Sequence, residues 1–266
     1  MIVISEFTDV QYSVEGDRTA VIVIDRPDRM NSLRGRTVDE LISAFKYAWA
    51  DPGVGCVILT GSGTRAFCAG GDVKERAESG TYGESEWGTF EIERLHRVIR
   101  DIPKPVIAAV NGVAVGGGNV LQVLCDLSIA AEHARFGQVG PRVGSFDAGF
   151  GSAYLARLVG ERRARRIWFL LELLDAKKAE EWGLVNEVVP ADQLMVRARE
   201  WAATISSYSP TALKFLKHSM NADSDHIAGI QTLAFDGLEL YVKTEEASEG
   251  AAAFLEKRPP NFSPRH

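Results

Sequence analysis

A chain of 266 residues with 45% hydrophobic and 25% charged residues has an ordinary globular composition, long enough for one large domain or two small ones with a sizeable core. Its net charge of -6 and isoelectric point near 5.5 give no general attraction for nucleic acid, and no apolar run approaches the ~18 residues of a membrane span. Three cysteines (Cys56, Cys68, Cys125) without CxxC spacing fit reduced thiols in a cytoplasmic setting, and five histidines form no HxxxH or HExxH pattern for zinc, so no metal is expected.

In chain order, MIVISEFTDV lacks a basic n-region and a long apolar stretch and does not read as a signal peptide. TAVIVID (19–25) is a β-branched apolar run and predicts a strand. A basic loop follows, then TVDE (37–40), a capping-box pattern that predicts a helix start at Thr37. Val38, Leu41, Ile42, Phe45 and Trp49 recur behind it at helical spacing, and DPG (51–53) stops the helix. CVILTG predicts the next strand, and FCAGGD turns the chain toward another helix. Residues 73–90 are poor in aliphatics and rich in Gly, Glu and Ser, which predicts a mobile excursion. Ile92, Leu95, Val98, Ile99 and Ile102 then mark an amphipathic helix. PKPVIAAV is a third strand, NGVAVGGG a turn, NVLQVLCD a helix and LSIAA a fourth strand. This rhythm of strand, glycine turn and helix predicts an α/β fold of stacked ββα-like units. Beyond Ser152 the pattern is mostly helical. ERRARR (161–166) predicts a solvated or subunit-facing helix surface, and a short strand LVNEVV follows. The character changes near Pro190, which divides the chain into a core (1–190) and a helical region (191–266) broken near Ser209, Asn221 and Gly237.

Two glycine turns, Gly70-Gly71 and Gly116-Gly117-Gly118, end apparent strands and open helices. Helix N-termini carry unpaired N–H groups and the positive end of the helix dipole. Two of them converging would hold one oxygen as an oxyanion hole; tight βα turns without a ligand are the alternative. The glycines match neither GxGxxG nor GxxxxGK[ST]. FGQVGPRVGSFDAGFG (136–151) holds a single acid, Asp147, with the hydroxyl of Ser145 and the cation of Arg142. Asp147 is either a turn aspartate or a lone carboxylate for proton transfer. Cys68, beside a glycine turn, is either a small buried filler or a nucleophile.

FCAGGD, with PKPVIAAVNGVAVGGGNVLQVLCDLSIAAEHARFGQ downstream, resembles the enoyl-CoA hydratase/isomerase (crotonase) superfamily, over nearly the whole chain from IDRPDRMNSL onward. The resemblance implies a crotonase-like spiral of ββα units with a C-terminal helical trimerisation region. It implies an acyl-CoA substrate, so that coenzyme A arrives with the substrate and no cofactor is tightly bound. It also implies a trimer or dimer of trimers. RNA binding, known for some members of the superfamily, is disfavoured by the acidic balance, and no membrane partner is expected from the hydropathy. By the same resemblance the N–H groups of Gly71 and Gly117 hold the thioester oxygen. Hydratases of this superfamily carry two glutamates, at positions that are Val120 and Gly140 here. Neither residue accepts a proton.

GSFDAGFGSAYLARLVG, RRIWFL, GLVNEVVP and YVKTEEASEG are similar to 1,4-dihydroxy-2-naphthoyl-CoA synthases and to 2-ketocyclohexanecarboxyl-CoA hydrolases. The first close a ring by Dieckmann-type condensation; the second open one by the reverse step plus water. The similarity implies that Ser145 and Asp147 bind or protonate a distal carbonyl, joined by Tyr241 from a helix against a neighbouring subunit. It places Tyr82, with Lys74 and Arg76, on a loop over the substrate. Synthases with glycine at the Gly140 position use bicarbonate as base. Gln138 and Trp168 match residues around that ion, while Val139 departs from the synthases' threonine, so a bound anion or a water remain alternatives. Val139 and Asn119 match the hydrolase pattern; Lys74, Arg76 and Phe146 match the synthase. Arg29 and Arg34 would neutralise the phosphates of coenzyme A, and Phe254 and Lys257 would reach a neighbour's nucleotide pocket. Enoyl-CoA hydratase/isomerase-like activity with a non-standard acid and base, or a non-catalytic CoA-binding subunit, are the further alternatives.

Overall fold

The computed structural model describes residues 7–262 apart from 17 and 87, so most of the N-terminal stretch read against a signal peptide lies outside the described residues. The chain opens with an antiparallel pair, β1 (Val10–Glu15) and β2 (Thr19–Ile24), followed by helix α1 (Gly35–Ala50). Three ββα passages follow. The first is β3 (Cys56–Gly61), β4 (Ala66–Cys68), α2 (Val73–Ser79) and α3 (Ile92–Asp101). The second is β5 (Val106–Val110), β6 (Val113–Val115) and α4 (Gly117–Leu124). The third is β7 (Leu127–Ala131), β8 (Arg135–Gly137), α5 (Phe150–Val159) and α6 (Glu161–Leu170). Short β9 (Leu174–Asp175), α7 (Ala176–Glu181) and β10 (Glu187–Val189) lead to four helices: α8 (Leu194–Ser206), α9 (Pro210–Ala222), α10 (Ala228–Tyr241) and α11 (Glu245–Leu255).

Each passage gives its first strand to a six-stranded sheet, ordered β1-β2-β3-β5-β7-β10, and its second to a four-stranded sheet, ordered β4-β6-β8-β9. The large sheet is parallel from β2 onward. Its inner strands β2, β3, β5 and β7 are buried on both faces, which explains their continuous apolar runs. Ile22, Val57, Leu59, Ala108 and Val110 face the main core, while Val21, Ile58, Ile107 and Ala109 face a second layer built with Leu194, Ala198 and Ala202 of α8. The fold is therefore the spiral of ββα units that the sequence implies. The change at residue 190 is one of secondary structure, and packing runs across it.

Local expectations differ at five places. Residues 73–90, read as a mobile excursion, begin with helix α2, which Asp72 caps by accepting from the Glu75 N–H. Helix α1 starts two residues before Thr37, with Arg34 as N-cap and the Thr37 hydroxyl accepting from the Arg34 N–H. The start is fixed there because Asp9 binds both Arg34 and Thr37. Trp49 is exposed rather than part of the buried face. Gly237 does not break α10; the chain turns after it, at Val242. The strands β1, β4, β6, β8 and β9 are absent from the sequence reading, four of them because two or three residues carry no detectable period.

The C-terminal helices are tied to the core by an ion pair. The Lys217 ammonium of α9 is buried against the Asp126 carboxylate at 2.7 Å and also donates to the carbonyls of Lys104 (3.1 Å) and Ile99 (3.3 Å). Removing Asp126 leaves the buried Lys217 charge without its anion. Asp126→Ala is expected to lower the unfolding free energy by about 3 kcal/mol in urea titrations, and Lys214→Ala, on the exposed face, by less than about 0.5 kcal/mol.

Candidate active site

In the small sheet β4, β6 and β8 are parallel neighbours, with Cys68 beside Ala114 and Val115 beside Gly137. Their C-terminal ends therefore leave the sheet on one side, next to one another. The three segments that follow are the Gly70-Gly71 turn, the Gly116-Gly117 turn and the loop carrying Gly140, Ser145 and Asp147. All three line one cavity.

Gly71 forms an isolated parallel bridge to Leu33, in which Leu33 N–H donates to Gly70 O and Asp72 N–H to Leu33 O, both at 2.8 Å. That register turns the Gly71 N–H away from Leu33. Gly117 is the first residue of α4, so its N–H has no intrahelical acceptor. Among the described residues neither amide has a protein partner. A Cβ built on Gly117 would lie 4.0 Å from the Gly71 nitrogen, and one built on Gly70 would lie 3.1 Å from the Gly117 nitrogen, so the two turns face each other closely. A Cβ on Gly118 would overlap the Cys68 carbonyl, which is why α4 can start so near β4 only with glycine there. The Gly71 turn is held from behind. Asp72 caps α2 by accepting from Glu75 N–H and is paired to Arg26 at 3.0 Å. Arg26 also reaches the Ser32 carbonyl.

Asp147 lies across from these turns, its Oδ2 3.8 Å from where a Cβ on Gly116 would sit. It has no hydrogen-bond partner among the described residues. Burial alone pushes its carboxyl up to about 6. It is half-exposed as a residue because its surface faces the cavity rather than bulk water. The phenol of Tyr82 accepts from Arg76 at 3.2 Å and is hydrogen-bonded to Ser145, and burial raises its pKa. Its ring stacks on Phe90 and covers Gly71, where a Cβ would come within 2.6 Å of the ring. With the ring in place, about 60 Å³ stays free beside the amides. Asp147 also borders a second, apolar cavity of about 440 Å³ walled by Phe146, Ala153, Ala156, Ala164, Trp168 and Phe169.

Gly71, Gly117, Tyr82, Gly140, Ser145 and Asp147 are thus brought together. The other candidate residues lie elsewhere. Arg76 is buried and clamps the Val143 (2.7 Å) and Gly144 (3.3 Å) carbonyls. Arg34 is held bidentately by Asp9 at 2.7 and 2.8 Å, which leaves its charge neutralised inside the fold. Lys74 is exposed and 3.8 Å from Glu78. The Tyr241 ring leans on Phe146, but its hydroxyl is directed to Glu246 at 3.5 Å and not into the cavity. Arg29, Phe254 and Lys257 are exposed. Gln138 is fully buried, with neither side-chain polar atom partnered, and the Trp168 indole N–H is buried without an acceptor. Cys68 is a filler: complete burial pushes its thiol up to about 12, far from thiolate chemistry. Sequence reasoning missed the far wall, Phe235 and Leu238 of α10. Their spacing with Gln231 (i, i+4, i+7) marks one helix face, yet nothing local says what that face covers.

A family model described as Enoyl-CoA hydratase/isomerase matches residues 15–265. Among solved structures, the chain is similar to an enoyl-CoA hydratase from Mycobacterium avium subsp. paratuberculosis K-10, with 32% identity, 97% of this chain and 100% of the other covered, and a TM-score of 0.85. A carnitinyl-CoA hydratase from Mycobacterium avium matches with 32% identity, 97% and 99% coverage and a TM-score of 0.83. An enoyl-CoA hydratase/isomerase from Pseudoalteromonas atlantica T6c matches with 26% identity, 96% and 100% coverage and a TM-score of 0.87.

The Asp147 environment has a consequence for stability. Its folded pKa, about 6, lies above the ordinary aspartate value of ~3.9, so the native state holds an extra proton between those values. The cost of its charge is absent below pH ~4 and complete above pH ~6. Asp147→Asn is expected to raise stability by on the order of 1–3 kcal/mol at pH 7.5 and to leave it unchanged near pH 4, read by thermal denaturation across that range.

Proposed function

The chain belongs to the enoyl-CoA hydratase/isomerase family, and from that membership we propose that this acyl-CoA enzyme catalyses a Dieckmann-type ring closure like that of naphthoyl-CoA synthases. One observation carries the reading: among the residues lining the cavity, Asp147 is the only carboxylate. Val120 stands at one hydratase glutamate position. At the other, a Cβ on Gly140 would come within 2.8 Å of the Ser145 carbonyl and 3.1 Å of the Phe146 α-carbon, so this loop has no room for an acid there. A cavity with a hole on one side and a single protonatable acid on the other suits carbon–carbon chemistry better than addition of water between two carboxylates.

In this mechanism the Gly71 and Gly117 N–H groups hold the thioester oxygen, each donor contributing about 3 kcal/mol to the enolate-forming transition state. The α-carbon loses a proton toward the Gly140 side. Were bicarbonate the base, the Gln138 amide NH₂ and the Trp168 indole N–H, both buried without an acceptor among the described residues, would be its donors. Valine at 139 adds no hydroxyl to that set. The enolate carbon then bonds to the carbon of a protonated carboxyl group within the same acyl chain. Neutral Asp147 donates a hydrogen bond to that group and then passes its proton to the departing hydroxyl; the carbon–oxygen bond breaks, the tetrahedral oxyanion re-forms a carbonyl, and water leaves. The proton taken from the α-carbon balances the one that Asp147 gives up. Ionised Asp147 could neither donate nor protonate, so its raised pKa serves this step. The Tyr82 ring occupies space that a thioester needs and must swing aside on binding. Exposed Arg29 is free to meet a phosphate of coenzyme A. Phe215, Leu216, Met220, Leu233 and Leu240 leave apolar surface open on α9 and α10, which supports assembly of several copies, with Phe254, Lys257 and Tyr241 available to a neighbour.

The same hole run in reverse would open a 2-ketocycloalkane carboxyl-CoA ring, a reading favoured by Val139 and Asn119. Mass analysis separates the possibilities. A CoA ester with a carboxyl in ring-closing reach loses one water in the first case. 2-Ketocyclohexanecarboxyl-CoA gains one in the second. Hydration of a plain trans-2-enoyl-CoA with neither other ester changed sinks both.

Gly117→Ala tests the hole. The added methyl meets ordinary contacts of 3.7–4.0 Å, so the variant is expected to keep its melting temperature while turnover falls at least ~100-fold. Turnover is also expected to decline as pH rises through about 6, where Asp147 loses its proton, and Asp147→Asn to abolish that limb along with ~100-fold or more of kcat.

A further inference from the structure

Helix α5 begins at Phe150, three residues after Asp147, and its first N–H does not point to solvent. It donates to Gln231 Oε1 of α10 at 2.6 Å. Gln231 is fully buried, and its other end meets His96 Nδ1 of α3 at 3.0 Å. The chemistry fixes the orientation. A backbone N–H can only donate, so the amide oxygen faces Phe150 and the amide NH₂ faces His96. Nδ1 must then accept, and the ring proton sits on Nε2, which is buried without a partner. The imidazole has to stay neutral to accept this bond, and burial lowers its pKa to about 3. The charged neighbours on these helices are engaged elsewhere, Arg97 with Glu93 and Arg100 with Asp225.

Gln231 also sits directly on the loop. A Cβ on Gly149, whose φ is 71°, would lie 2.5 Å from Gln231 Oε1 and 2.8 Å from its α-carbon. A Cβ on Gly151 would lie 3.3 Å from the Asp147 β-carbon. Gln231, Gly149, Phe150, Gly151 and Asp147 are therefore packed as one unit. Phe235, one turn along α10 from Gln231, packs its ring 5.9 Å from His96 and lines the cavity. A neutral amide is notable at this helix start. A glutamate would suit the helix dipole better but would set a second negative charge near Asp147.

We propose that Gln231 and His96 are positioning residues: the His96–Gln231–Phe150 chain of hydrogen bonds sets the depth of the Asp147 loop opposite the Gly71 and Gly117 amides. The claim rests on the reading of Asp147 as the site's acid, and its test has a readout that does not need turnover. Titration of the Asp147 carboxyl, followed by carbon-13 NMR in the full-length protein, is compared in wild type, Gln231→Leu, His96→Leu and His96→Asn. The titratable groups facing Asp147 are Tyr82 and Cys68, and both stay uncharged through its titration because burial raises their pKa. Loss of the chain lets the loop relax toward water, so both Leu variants are expected to titrate about one unit or more lower. Asn keeps an acceptor near the Nδ1 position and is expected to restore most of the shift. If the wild type turns over a ring-closing ester, kcat of the Leu variants falls about tenfold or more with KM within about threefold. Should Gln231→Leu fail to fold, the His96 pair still decides. An Asp147 midpoint unchanged in the folded Leu variants overturns the proposal, whether or not any ester is a substrate. Altered titration with no turnover of any ester leaves it standing and sinks only the assigned reaction.

Discussion

Adjacent parallel strands send their ends to the same place, and the site depends on that constraint. β4, β6 and β8 are three residues long each, and side-by-side pairing makes their C-terminal ends emerge together. What each end does next is set by glycine. Gly71 can lie under a tyrosine ring, and Gly118 can press α4 against the Cys68 carbonyl, because neither carries a side chain. The outcome is two backbone amides in closely apposed turns, neither with an acceptor among the described residues. In the proposed reaction an oxygen brought to both would meet donors fixed by the fold, so little reorganisation would accompany charge development.

The other half of the site rests on the opposite treatment of a polar group. The charges behind the Gly71 turn are paired and hydrogen-bonded: Asp9 with Arg34, Asp72 with Arg26 and with the α2 amide. They fix backbone position. Asp147 faces the cavity, shielded from bulk water and with no such partner among the described residues, and therefore resists ionisation. A fold optimised only for stability would have given it an arginine. The stretch contains one, Arg142, and the structure leaves it exposed while Arg76, from the far side of the cavity, holds the loop's carbonyls instead. The loop is thereby clamped by a cation that never reaches its acid.

Helices distant in sequence complete the enclosure. α8 seals the outer face of the large sheet, Lys217 ties α9 to the strand-linking turn at Asp126, and α10 walls the cavity with Phe235 and Leu238. The same helices present large apolar side chains outward, so the surface that closes the pocket on one side is unfinished on the other.

The sequence by itself determined the ββα rhythm, the two glycine turns and the absence of an acid at positions 120 and 140. Those are local facts: β-branched runs, glycine at strand ends and side-chain chemistry are legible one segment at a time. It also singled out Asp147, because a lone carboxylate in a glycine-rich stretch stands out whatever surrounds it. Only the tertiary structure decided which of the charged candidates face the cavity. Arg34 and Arg76 read as ligand-binding cations in the sequence, yet each is enclosed by a partner 25 or more residues away. Tyr241, Gln231 and Phe235 lie on one helix, and the sequence could not tell that the hydroxyl turns to Glu246 while the amide and the phenyl ring turn inward. Pairing and burial are properties of contacts between distant segments, and a linear pattern records the residues of such a contact without recording that they meet.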